Sequence, residues 1–164
     1  MSSSPAPAPP IDSVTLERWP SYGGPPGYAV TVHVGGRVER NDMPELDPEG
    51  LAATQGRAEP EAVAAVFRLF DTPFFEGIVR RQAAGVSDDD PTGTPFGFGP
   101  PATDTTGATL TVRRGGEVLS FRHEFGAGFD SEVHVYRLEA AVDRAAETAH
   151  SGSRNASPWR GRDR

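Results

Sequence analysis

The chain has 164 residues, 23 acidic and 16 basic side chains, a net charge of −7 and no cysteine. That length suits one domain, and a cysteine-free chain has no disulfide, no thiolate metal site and no cysteine nucleophile. All 16 basic residues are arginine, which reads as coding bias; residues 1–150 hold 22 acids against 12 arginines while 151–164 hold four arginines and one aspartate, so the body repels phosphate backbones and nucleic acid is not an expected partner.

Residues 1–10 lack the basic start and apolar stretch of a signal peptide and read as a disordered Pro/Ala/Ser leader. A first strand is expected over 11–18, ending in Arg18. After the Pro/Gly loop 20–27 comes Tyr28-Ala29-Val30-Thr31-Val32-His33-Val34. Tyr28, Val30, Val32 and Val34 share one face and Ala29, Thr31 and His33 the other, the pattern of an antiparallel strand with one covered face. Gly35-Gly36 reads as a two-residue turn tolerant of positive φ, leading to a third strand over 37–40. Pro60, flanked by Glu59 and Glu61, marks the start of a helix over 60–71. Val63, Val66, Phe67 and Phe70 fall at i, i+3, i+4 and i+7 and predict one buried stripe. Asp71-Thr72-Pro73 ends that helix, and Phe74 and Phe75 are expected to tuck under the sheet. A second hairpin is predicted over 108–114 and 117–123 around Gly115-Gly116, with Leu110, Val112, Leu119 and Phe121 on one face. A second helix over 132–148, capped by Asp130 or Ser131, buries Val135, Leu138, Val142 and Ala145. Residues 151–164 lack periodicity and read as a disordered Arg-rich tail.

The fold class that follows is α+β, a mostly antiparallel sheet of about five strands with two helices packed on one face, forming one domain over 11–150. The longest apolar run, 62–67, is far below the ~18 residues of a spanning helix, so a soluble, cytoplasmic protein with no membrane partner is expected.

Several local patterns carry chemistry on paper. Asp88-Asp89-Asp90-Pro91-Thr92-Gly93 contains a D-x-D-x-x-G fragment, but Pro91 interrupts it and position twelve is Gly99 where a calcium loop needs Glu. It reads as a solvated acidic loop. Gly97-Phe98-Gly99-Pro100-Pro101-Ala102 spells G-x-G-x-x-A, yet Pro100 and Pro101 remove two amide donors and no helix follows, so a dinucleotide site is rejected. His33, His123, His134 and His150 have no metal-binding spacing; His33 and His123, on strands of the two hairpins, are placed to face one another. Asp130, Ser131 and His134 are the residue types of a triad, but one helix start does not put the base between the other two. Arg18, Tyr22 and Tyr28 surround the Pro/Gly loop. As function they form a small recognition surface, with Arg as donor and the aromatics as rigid contacts. As structure, Arg18 binds loop carbonyls and Tyr28 packs.

The stretch Arg18-Trp19-Pro20-Ser21-Tyr22-Gly23-Gly24-Pro25-Pro26-Gly27-Tyr28 resembles a bacterial domain family of unknown function. Its members open with a strand ending in Arg, then Cys-aromatic-Gly-x-Cys-Pro-x-Tyr, then a hairpin. The Arg, the aromatic-Gly step, Pro26 and Tyr28 match; Ser21 and Pro25 stand at the two cysteine positions. Residues 67–75, 109–121 and 135–143 are similar to the family's helix with double Phe, second hairpin and closing helix. The resemblance implies the α+β fold and, with both cysteines replaced, no cysteine-based redox or metal chemistry in this member.

The expected function is a non-catalytic binding or interaction module of unknown ligand, with protein as one candidate partner class and no cofactor. Binding is assigned to Arg18, Tyr22 and Tyr28. The alternative is a metal-dependent or hydrolytic enzyme using the 85–105 loop. A third reading is a purely structural or regulatory protein acting through its tails.

Overall fold

A computed structural model describes residues 9–19, 27–42, 54–85, 107–124 and 132–154. Within them the chain runs β1 (Ile11–Arg18), β2 (Tyr28–His33), β3 (Arg37–Asp42), β4 (Thr54–Arg57), α1 (Pro60–Phe70), α2 (Pro73–Ala83), β5 (Gly107–Arg114), β6 (Glu117–Glu124) and α3 (Glu132–Arg154). The fold is α+β. Six strands form one antiparallel sheet in the order β4-β3-β2-β1-β5-β6.

The alternating sequences decide which face is covered. Val14 and Leu16 of β1, Val30 and Val32 of β2, Val38 of β3 and Leu110 and Val112 of β5 are fully buried beneath the helices. The opposite face is polar: Thr15 and Thr31 join hydroxyls at 2.9 Å, and Thr111 and Ser120 at 3.2 Å. Each helix contributes its apolar stripe to the one core: Val63, Val66 and Phe70 from α1, Phe75 and Ile78 from α2, and Val135, Leu138, Val142 and Ala145 from α3. The Gly115-Gly116 turn takes positive φ at both residues, 52° and 86°, as a two-residue hairpin requires. No helix among the described residues is long and apolar enough to cross a membrane.

Five expectations need correction. The sheet has six strands, not about five, because Thr54-Gln55-Gly56-Arg57 adds an edge strand with no apolar alternation. Its place is set by pairing with β3 and by α3 behind it, where a Cβ on Gly56 would sit 3.0 Å from Ala149. Among the described residues there are three helices, one more than expected. Pro73, read as a stop, opens α2 at its first turn, with Thr72 extended (φ −129°) before it, since proline suits a first helical turn as well as it ends the helix before it. The α1–α2 corner is held by Arg114, which donates from Nη2 to Asp71 Oδ1 and from Nη1 to Glu76 Oε1, both at 3.1 Å. Phe67 is only half-buried, whereas Phe70 is fully buried. The β2–β3 turn spans Val34 to Gly36 and closes through Gly36 N–H to His33 C=O at 2.8 Å, so Val34 leaves the strand and is exposed. Lastly, α3 extends to Arg154, past the predicted end at 148. The leader's residues 1–8, the tail's 155–164, the acidic run at 88–90, the stretch 97–102, and Asp130 and Ser131 lie outside the described residues.

Candidate functional site: a closed polar network at one end of the sheet

Arg18 ends β1, and its partner in the β1–β2 register is Tyr28, the first residue of β2. The two side chains therefore leave neighbouring strands on the same face, and both meet α3. Arg18 Nε donates to the Tyr28 hydroxyl at 2.8 Å, Nη1 donates to Glu139 Oε2 at 2.9 Å, and Nη2 donates to Asp143 Oδ2 at 2.7 Å. The Tyr28 hydroxyl donates onward to Asp143 Oδ1 at 2.8 Å. Each guanidinium nitrogen is thus bonded inside the protein. Glu139 and Asp143 stand four residues apart on one helix, so one turn of α3 presents both to Arg18. Charge-assisted bonds of this kind are about twice as strong as neutral ones.

The other oxygen of Glu139, Oε1, is hydrogen-bonded to Nε2 of His123 on β6. The His123 ring stacks on Phe121 and meets Tyr136 edge-on. Glu139 is 1% exposed, enclosed between an imidazole and a guanidinium. The network thereby joins β1, β2 and β6 to α3.

Burial works against the charge of Arg18, but the hydrogen bond and charge of Asp143, followed by the charges of Glu139 and Tyr28, more than offset it, and its pKa rises further above the ordinary arginine value. Tyr28 is shifted upward too, first by burial and then by its bond to Asp143, with Arg18 pulling the other way. Arg18 is therefore a permanent cation and Tyr28 a neutral donor at physiological pH. A second arginine, Arg40, lies over the Tyr28 ring at 4.5 Å.

Above the network is an open depression of about 380 Å³. Its lining includes Arg18, Tyr136, Glu139, Asp143, Arg144 and Glu147. Arg18 and Asp143 reach solvent there, at 24% and 28% side-chain exposure.

Of the three sequence-derived binding residues, Arg18 and Tyr28 come together and Tyr22 lies outside the described residues. Arg18 binds carboxylates of α3. His33 and His123 do not face one another, because β1 and β5 stand between their strands; His33 instead sits beside Arg37 and Glu39 on the hairpin. Sequence reasoning missed Glu139, Asp143 and the role of His123. A signal existed for Glu139. It lies about 40° round the helix from Val135, at the border of the apolar seam, where a carboxylate that turns inward needs a partner. Among the described residues no group of three or more His, Cys, Asp or Glu is arranged to hold a metal ion. No protein-family model and no curated protein matches the chain.

Proposed function

We propose that the chain is a non-catalytic interaction module whose contact surface is the depression over Arg18, Glu139 and Asp143. The observation that carries this reading is the internal closure of the network. A general acid, base or nucleophile must reach its substrate, whereas Glu139 is enclosed between His123 and Arg18, and both oxygens of Asp143 already accept bonds. Beside the partly exposed Arg18 and Asp143, the depression presents the exposed Tyr136, Arg144 and Glu147. Tyr and Arg are residue types enriched where proteins meet proteins. A protein partner also fits a chain of net charge −7 better than nucleic acid or an anionic membrane surface does. The same proposal places the protein in the cytoplasm and reads it as a cysteine-less relative of the bacterial family it resembles. Two residues of that resemblance, Arg18 and Tyr28, are the two that meet on Asp143, which gives them a shared structural reason.

The test is affinity capture from the native host with the wild-type chain and with the Tyr136→Ala/Arg144→Glu variant. A partner recovered in stoichiometric amount by the first and lost with the second supports the proposal. Recovery indifferent to the variant overturns it. So does turnover on a panel of ester, phosphoester and peptide substrates that Glu139→Gln abolishes, because the closed network would then be a reactive one.

A further inference from the structure

We infer that Gln82 guards the β6 edge of the sheet against pairing with a second copy of this chain. Gln82 lies in the last turn of α2, on the flank of β6. Its side-chain amide bonds both backbone groups of Arg122: Oε1 accepts from the Arg122 N–H at 3.0 Å, and Nε2 donates to the Arg122 carbonyl. That two-bond exchange is what a residue of a neighbouring antiparallel strand would supply, so the carboxamide stands in for a seventh strand.

The position explains why such a guard has work to do. β6 is the outer strand beside β5, and its eight-residue register with β5 runs unbroken. Alternate residues of a strand turn their N–H and C=O to opposite sides. Because the Arg122 groups point away from β5, those of Ser120 and Val118 do so too. Among the described residues, Gln82 alone caps this row. Val118 at 50% exposure adds apolar surface next to it. The opposite edge is protected differently, since β4 has only four residues and short edge strands pair poorly.

The occupant best matched to this edge is its own copy. Two β6 strands placed antiparallel about Ser120 set residue 118 of one opposite 122 of the other and 119 opposite 121. Every side chain then keeps its face of the sheet. On the helix-covered face this sets Leu119 of each copy opposite Phe121 of the other, an apolar cross-strand pair, and on the other face Val118 opposite Arg122. Such pairing requires the Arg122 backbone that Gln82 occupies.

The test compares wild type with Gln82→Met, which keeps the length and apolar stem of the side chain and removes both bonds. Sedimentation velocity over a concentration series measures self-association. The variant is expected to dimerise at least about tenfold more tightly than wild type, the worth of roughly one net hydrogen bond. Adding Ser120→Pro, which removes an outward-facing donor without costing a ladder bond to β5, should restore the wild-type behaviour. Gln82→Glu, which accepts from Arg122 N–H but cannot donate to its carbonyl, should fall between, and it carries the test if Gln82→Met does not fold. Self-association unchanged in both Gln82 variants, or a dimer indifferent to Ser120→Pro, overturns the inference.

Discussion

Tyr28 shows how much one hydroxyl does at this site. It accepts from Arg18 Nε and donates to Asp143 Oδ1, so Tyr28→Phe breaks two bonds while leaving the ring in place. A loss of about 1–3 kcal/mol is expected in denaturant titration at pH 7. The pH dependence has a definite sign. The folded-state pKa is raised above an unfolded value near 10, so the folded chain holds this proton more tightly. Its stabilising contribution is complete below about pH 10 and is lost as pH rises through the folded value. Wild type should therefore lose stability on the alkaline side, and Tyr28→Phe should lose less there; identical alkaline profiles would show that Tyr28 does not titrate in this way. Tyr28 and Arg18 were legible in the sequence because they end and begin alternating strands beside one loop. Their acceptors were not, since 121 and 125 positions separate Arg18 from Glu139 and Asp143, and no local period records such a pairing.

Elements with strong periodicity were read well, and elements held by the backbone were not. The two hairpins and the α3 seam announce themselves through alternation and i, i+3, i+4 spacing, whereas β4 and α2 owe their places to strand pairing and to a proline with two meanings. The α1 stripe separates local pattern from packing. Phe70 meets Phe75 edge-to-face at 5.2 Å between centroids and is fully buried, so Phe70→Ala should cost about 3–5 kcal/mol. The half-buried Phe67 removes less surface from water, and Phe67→Ala should cost about 1–2 kcal/mol. Chemical denaturation of the two variants measures both, and equal losses would mean that the stripe is centred on Phe67 after all. At the start of β5, Gly107 accepts the Trp19 N–H at 3.0 Å. A Cβ there would stand 2.7 Å from the His123 carbonyl, so Gly107→Ala should loosen the β5–β6 pairing, seen as faster amide exchange at 107–109 and 122–124. Unchanged exchange would show that the strands yield without cost.

At the largest scale, the three helices and six strands of the described residues form one core, and the Arg18 network ties β1, β2 and β6 to α3 at one end of the sheet. Whether that network is a brace or a reactive set has opposite consequences for stability. Reactive constellations are commonly held at a cost in stability, so replacing their members often stabilises the fold. In a brace, removing the cation leaves Glu139 buried with one oxygen unpaired and only His123 as its partner. The decisive measurement is the unfolding free energy of Arg18→Met against wild type, with circular dichroism showing the variant folded. A loss of about 2–4 kcal/mol is expected, the lower part of that range reflecting the quarter of the Arg18 side chain that reaches solvent. An unchanged or increased unfolding free energy would contradict the brace, and with it the reading of this surface as a non-catalytic contact site.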